Sequence, residues 1–307
     1  MKWDEILKTQ GLIEWPYPIR YGEEAEVEAE VVVLGGGIAG CWAAISAARH
    51  GVQVVLVEKG ATVKSGSGGS GCDHWINTPH PRSPVTAEEV VGWELEMTGG
   101  YTNALSRYIA ARESFDTLQE LEKMGGKVRD SEDEFEGAPF RDEETRFVFA
   151  YDYENKVHFR VWGSTFKRAL HKECKKLGIQ IMDRIMATGL LTEGGRSGSR
   201  VIGATGFNVR TGELYLFKAK AVIDAMSRHQ RNWCFSTELR GNANFRPTQI
   251  VGDGHAMAWR AGAEFALMEK SLPTSFASGN TFLPYSHGNP INTWTPCTMV
   301  DARGKEV

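Results

Sequence analysis

The sequence predicts an α/β fold in which a parallel sheet is joined to a β-meander, and three observations predict it. Residues 31–40, VVVLGGGIAG, run an apolar segment straight into a glycine turn. Residues 52–60, VQVVLVEKG, form a second apolar run after an Ala-rich stretch, and residues 201–223 read as a meander turning at Thr211-Gly212. A chain of 307 residues, at roughly 150 per domain, makes one large domain or two moderate ones with ample core.

Taken in order, residues 1–27 read as an N-terminal arm whose Trp, Leu, Ile and Tyr side chains pack on the main body. Within the arm's end, EEAEVEAE (23–30) alternates acid with small or apolar residues and is expected to lead into the first strand as a solvated edge. Val31 to Leu34 suit a buried parallel strand. IAGCWAAISAARH (38–50) has the small-residue pattern of a helix packed on a sheet, and Gly51 ends it. The second strand then ends in Glu58, eighteen residues past Gly40.

A lone GxGxxG is weak, but here strand, turn, helix, strand and acid occur together. In that unit Gly35 permits the tight turn, Gly37 lets backbone approach a pyrophosphate, and Gly40 lets helix and strand pack closely. Free N–H groups of Ile38 and Ala39 meet the anion, and Glu58 is placed for a ribose hydroxyl pair. The unit serves NAD and FAD equally. KGATVKSGSGGSGCDHWINTP (59–79) separates them. It reads either as a flexible linker or, the favoured reading, as backbone and Ser hydroxyls wrapping an extended cofactor, where an NAD domain moves directly into its next helix.

Downstream, residues 86–126 read as two helices split at Gly99-Gly100, with their Trp, Met and Tyr residues expected in the core. Residues 130–146 read as a solvated acidic loop, and 163–178 as an amphipathic helix with a solvated Lys/Arg face. IQIMD is a strand, and the meander's last run returns to the parallel sheet. SRHQRNWCFSTELRGNANFRPTQIVGDG precedes the helix HAMAWRAGAEFALME. Its arginines, Arg231, Arg240 and Arg246, suit an anionic substrate or simply the surplus carboxylates. Arg240 and Arg246 are the catalytic candidates; no acid or base is identified, and His229, His255 and His287 are weak ones. Residues 291–307 end without a terminal helix, as a chain cut inside a longer one does.

Composition narrows the partners. A net charge of −4 with 41% hydrophobic and 24% charged residues gives no electrostatic case for nucleic acid. The five cysteines form no CxxC, so neither a disulfide framework nor a metal site is expected. The chain has no apolar run long enough for a bilayer and no export-signal pattern at its start, and a cytoplasmic location is expected.

VVVLGGGIAG, VEKG, KSGSGGSG and GDGHAMAWRAGA (252–263), in this order, resemble the flavoprotein subunits of the fumarate reductase and succinate dehydrogenase superfamily. GATGFNVRTGELYLFKAKAVI and INTP look most like the adenylylsulfate reductase α-subunit branch. The resemblance implies a Rossmann-like FAD-binding domain over residues 28–270 and the start of a capping domain over 271–307. It further implies FAD contacts at Gly35, Gly37, Ile38, Ala39, Gly40, Glu58 and Lys59, along Ser65, Gly66, Gly69, Ser70 and Gly71, and at Ala225 and Asp253. Gly66 stands where members with covalent flavin carry His, so the FAD is expected to be non-covalent, and His74 is wrongly placed to substitute. Met226, Ser227 and Arg228 stand where the family has Thr and two glycines, which implies a remodelled turn or a more distant cofactor. The implied activity is two-electron transfer through FAD to a small, anionic substrate, or cofactor holding and electron transfer completed by a partner chain, iron–sulfur or similar.

Overall fold

The computed structural model describes residues 22–69, 71, 72, 74–134, 136–139, 141, 146, 154–228, 249–268 and 300–306. A six-stranded sheet organises them in the order β5-β2-β1-β8-β7-β6. Strands β1 (Ala25–Leu34), β2 (Val54–Glu58), β5 (Gln180–Asp183) and β8 (Leu214–Asp224) pair in parallel. β6 (Ile185–Thr192) and β7 (Val201–Asn208) complete the meander antiparallel to β8. A short ribbon of β3 (His74–Trp75) and β4 (Phe159–Arg160) stands apart from the sheet.

The buried part of β1, Val31 to Leu34, and Val54 to Val57 of β2 are unbroken apolar runs, as strands covered on two faces require, while the first six residues of β1 alternate with glutamate. Alternation then sorts the side chains. Val33, Val54 and Leu56 face a cluster with Cys41, Ala44 and Ile45 of helix α1 (Ile38–Arg49). That cluster continues through Leu118 and Leu121 of α3 (Ala104–Lys123) to Phe166 and Leu170 of α4 (Phe166–Lys176). Val32, Leu34, Val55 and Val57 face the opposite side, where Ile185, Ala204, Phe217 and Met257 of α5 (Asp253–Arg260) cover them.

Caps and glycines set the helix ends. α2 (Ala87–Met97) opens on a capping box in which Thr86 accepts from the Glu89 N–H and Glu89 accepts from that of Thr86. Asn103 caps α3 by accepting from the Ser106 N–H at 2.9 Å. Gly51, at φ +81°, closes α1.

Several expectations need correction. EEAEVEAE is strand rather than lead-in, since β1 begins at Ala25, and the solvated edge holds: residues 25–29 pair with β8 alone, β2 joins only from Val31, and Glu26 and Glu30 pair with Lys218 and Lys220 of β8. Trp93, Met97 and Tyr101 are exposed rather than core, because α2 and α3 bury Val90, Val91, Ala111, Leu118 and Leu121 instead. Among its described residues the acidic loop is solvated or half-buried except at Asp130 and Arg141, both buried. The last helix starts at Asp253 and stops at Arg260, well short of residue 269, since Gly262 takes φ +99° and packs against Gly198. In α4, Arg168, Lys172, Lys175 and Lys176 are exposed, but Lys167 is 1% exposed.

Leu56→Ala in the central strand is expected to cost about 2–5 kcal/mol by urea denaturation, and Met97→Ala on the exposed helix face under about 0.5 kcal/mol. Equal costs would show that the α2 face is covered in solution.

Candidate functional site

The turn between β1 and α1 is packed so closely that three of its four glycines are explained by protein neighbours. A Cβ on Gly40 would lie 1.7 Å from the Gly35 carbonyl oxygen, one on Gly35 2.7 Å from that of Ala225, and one on Gly36 2.7 Å from Thr62 Oγ1. Gly37 differs. Its φ is −65°, and a Cβ there would meet only Gly66 Cα, at 3.8 Å. Among the described residues no protein atom requires glycine at position 37, and the space in front of it is a cavity of about 760 Å³.

Gly37 is also the N-cap of α1, and no side chain caps that helix. The capping box of α2 shows how this chain satisfies a helix start when no ligand is due; at α1 the N–H groups beyond Gly37 face the cavity unfilled by any side chain, an arrangement suited to an anion. Glu58 supports the same turn from the end of β2. One carboxylate oxygen accepts from the Gly36 N–H and the other from the Gly60 N–H, each at 2.6 Å. A carboxylate has about four lone-pair positions, so Glu58 keeps acceptor capacity for hydroxyl groups.

Further elements close the cavity. Lys59 donates to the Gln249 carbonyl at 2.6 Å and pairs with Asp253 at 3.2 Å, joining the end of β2 to the start of α5. Thr62 donates both its N–H and its hydroxyl to Asp183, fixing the Ser/Gly segment to β5. Gly66 lies backbone to backbone with Gly37, and Gly71 with Ser164. Ser227 adopts φ +69°, the conformation a glycine would take, while Asp224 accepts from the Met226 N–H at 3.0 Å. For a non-glycine residue that conformation costs about 1–2 kcal/mol.

Of the residues the sequence singled out, Gly35, Gly37, Ile38, Ala39, Glu58 and Lys59 line the cavity, as do Gly66, Gly71, Ala225 and Asp253. Gly40, Ser65 and Gly69 stand behind the wall: Ser65 Oγ donates to the Gly36 carbonyl at 2.8 Å, and a Cβ on Gly69 would lie 1.7 Å from the Lys64 carbonyl. His74 is buried in β3 and is not a lining residue. His255 stacks on Phe265 beside α5. Ser70, Arg231, Arg240, Arg246, His229 and His287 lie outside the described residues.

Sequence reasoning missed the far wall, treating the middle of the chain as scaffold. Arg160, Trp162, Gly163 and Ser164 line it, with the Arg160 guanidinium 5.7 Å and the Lys127 ammonium 4.4 Å from the Trp162 ring centre. Gly163 was the available signal: a Cβ there would lie 2.4 Å from the Cys72 carbonyl. Ile185 to Ala187, at the start of β6, form the wall beside Glu58. Beneath the turn, a hydrogen bond from Cys174 and then the Lys167 ammonium hold the Cys41 thiol below its ordinary pKa, against the effect of burial.

The sequence model of the FAD binding domain family matches residues 30–279. The chain belongs to that family. Its cofactor is FAD, and the uncapped helix start, the open face of Gly37 and the free acceptor positions of Glu58 fit an adenine dinucleotide's phosphates and ribose. Among curated relatives, one of the subunits of the fumarate reductase (CoM/CoB) of Methanothermobacter marburgensis is 29% identical over 246 residues, 79% of this chain and 41% of that protein. The alpha subunit of the adenylylsulfate reductase of Megalodesulfovibrio gigas is 24% identical over 92% of this chain and 43% of its own length. The structure of adenylylsulfate reductase from Archaeoglobus fulgidus superposes with a TM-score of 0.67 at 26% identity, covering 82% of this chain and 39% of that one. The chain thus spans about two-fifths of the length of these relatives. Among the described residues no His, Cys, Asp and Glu group could hold a metal, and no helix is long and apolar enough to cross a membrane.

Gly37→Val is expected to leave the melting temperature of the ligand-free protein nearly unchanged and to abolish FAD retention, whereas Gly40→Val should prevent folding. Bound flavin per chain after gel filtration measures both, and full flavin content in the Gly37 variant would overturn the assignment of the turn.

Proposed function

We propose that this chain holds FAD non-covalently and is an oxidoreductase that moves two electrons between it and a small anionic substrate. The observation that carries the reading is Gly37, a glycine whose open side borders the cavity at an uncapped helix start. When bound, FAD supplies hydride transfer at the flavin. The protein's part is to bind and orient. The N–H groups of α1 and Gly37 face the pyrophosphate, Glu58 accepts from ribose hydroxyls, and the paired glycine backbones at Gly37 and Gly66 leave room for the extended chain. Lys59 and Asp253 hold the two sides of the cavity together.

Non-covalent attachment is supported by Gly66, which sits at φ +80° with a Cβ position 2.9 Å from Gly37 Cα. A histidine there would be strained and would collide with the phosphate turn. An anionic substrate is supported by Arg160 in the far wall, together with the names of the relatives as reductases of fumarate and adenylylsulfate. Arg240 and Arg246 remain the proposed substrate-side arginines. The proposed division places residues 1–27 as an arm, 28–270 as the FAD-binding domain and 271–307 as the start of a cap. A cytoplasmic location goes with this reading.

A second reading is favoured by the relatives being named as subunits: the chain holds FAD and passes electrons to a partner chain, iron–sulfur or similar, without substrate chemistry of its own. Absorption spectroscopy of the purified chain, heat release and mass identification test the cofactor; released FAD is expected, and a colourless protein that takes up no added FAD would overturn both readings. Dithionite-reduced protein mixed with fumarate, crotonate or adenylylsulfate separates them. Reoxidation of the flavin by one acceptor is expected, and failure with every acceptor would leave the second reading.

A further inference from the structure

Lys167 is the one lysine of α4 that enters the core, and it does so directly beneath the phosphate turn. Its ammonium donates to the Gly36 carbonyl and, at 3.1 Å, to Cys41 Sγ. Among the described residues no carboxylate pairs with it. A buried ammonium without a carboxylate is costly, and a methionine of similar length would pack in its place without that cost.

The Gly36 peptide is gripped on every polar atom. Its N–H is taken by Glu58, and its carbonyl accepts from Ser65 and Lys167, and more distantly from Cys41 Sγ at 3.5 Å, on the buried side. Because a trans peptide points its C=O and the following N–H in opposite directions, pulling the Gly36 oxygen toward Lys167 turns the Gly37 N–H toward the cavity.

We infer that Lys167 is a positioning residue for the pyrophosphate of FAD, acting through the Gly36–Gly37 peptide and serving as the buried counter-charge of the bound phosphates. This rests on the FAD reading of the cavity. Thr165, Phe166 and Leu170 around it do structural work that any lysine-free helix could do; Lys167 alone adds a charge whose partner arrives with the ligand.

The test uses the full chain with Lys167→Met and Lys167→Gln, titrated with FAD by fluorescence and with ADP by calorimetry, and with riboflavin as a probe lacking pyrophosphate. Lys167→Met is expected to weaken ADP and FAD about 10- to 100-fold, the scale of a hydrogen bond to a charged group. Its ligand-free melting temperature should be unchanged or higher. Lys167→Gln, which keeps a donor for the Gly36 carbonyl, should recover part of the affinity, and riboflavin affinity should not change. Affinities for ADP and FAD within about twofold of wild type in both variants would overturn the inference, as would an equal weakening of riboflavin. A lower melting temperature with unchanged affinity of the folded fraction would reduce Lys167 to a structural role and also overturn it. A wild-type chain that takes neither FAD nor ADP would instead remove the cofactor reading itself.

Discussion

Everything in this domain is arranged around the contact between Gly40 and the Gly35 carbonyl. With no room for even a methyl group between them, α1 starts almost on top of the end of β1, and its first N–H groups are held at a fixed place above the carboxyl ends of the parallel strands. Open α/β sheets bind ligands at that end, where the strand order leaves a crevice. Here β1 sits between β2 and β8, so the crevice is walled by Glu58 from one neighbour and by Ala225 just past the other. A buried polar network, Glu58, Ser65, Thr62 and Asp183, keeps the turn from relaxing when the cavity is open.

The parallel half of the fold and the phosphate turn were readable from the residues because both depend on local rules: apolar runs, a glycine spacing, and an acid at the end of the next strand. The two helices around Gly99-Gly100 were readable for the same reason, since Thr86, Glu89 and Asn103 are local capping signals. What was not readable depends on contacts between distant segments. Lys167 has the sequence signature of a solvated helix face, and only the approach of Gly36, 131 residues away, makes it a core residue. Trp162 and Arg160 join the cavity only because Gly71 and Cys72 pack against Gly163 and Ser164. The exposed Trp93, Met97 and Tyr101 reverse the usual rule that large apolar side chains go inside, which no periodicity could announce.

The family assignment and the geometry carry different parts of the conclusion. The family names the cofactor. The geometry says which glycines of the turn are held by protein neighbours and which one opens on the cavity, a distinction that the motif alone does not make. Ser65 and Gly69 illustrate the point: both fall in the segment that wraps the cavity, yet both act on the backbone behind it.

The pairing of β1 with β8 has a consequence for how the chain comes to be folded. Ala25 is hydrogen-bonded into register with Tyr215 and Leu34 with Asp224, so the central ladder joins segments 190 residues apart. Closing so long a loop costs little more equilibrium stability than a shorter one, since the entropy loss grows only with the logarithm of length, but non-local pairing slows folding. On a ribosome adding about 5–20 residues per second, β1 waits roughly 10–40 s for its partner. During that interval β2 can pair with VVVL on one side, but its β8-facing side is an unpaired strand edge. The alternating glutamates just before it, later neutralised by Lys218 and Lys220, give the waiting strand a charged flank that resists association with other nascent chains.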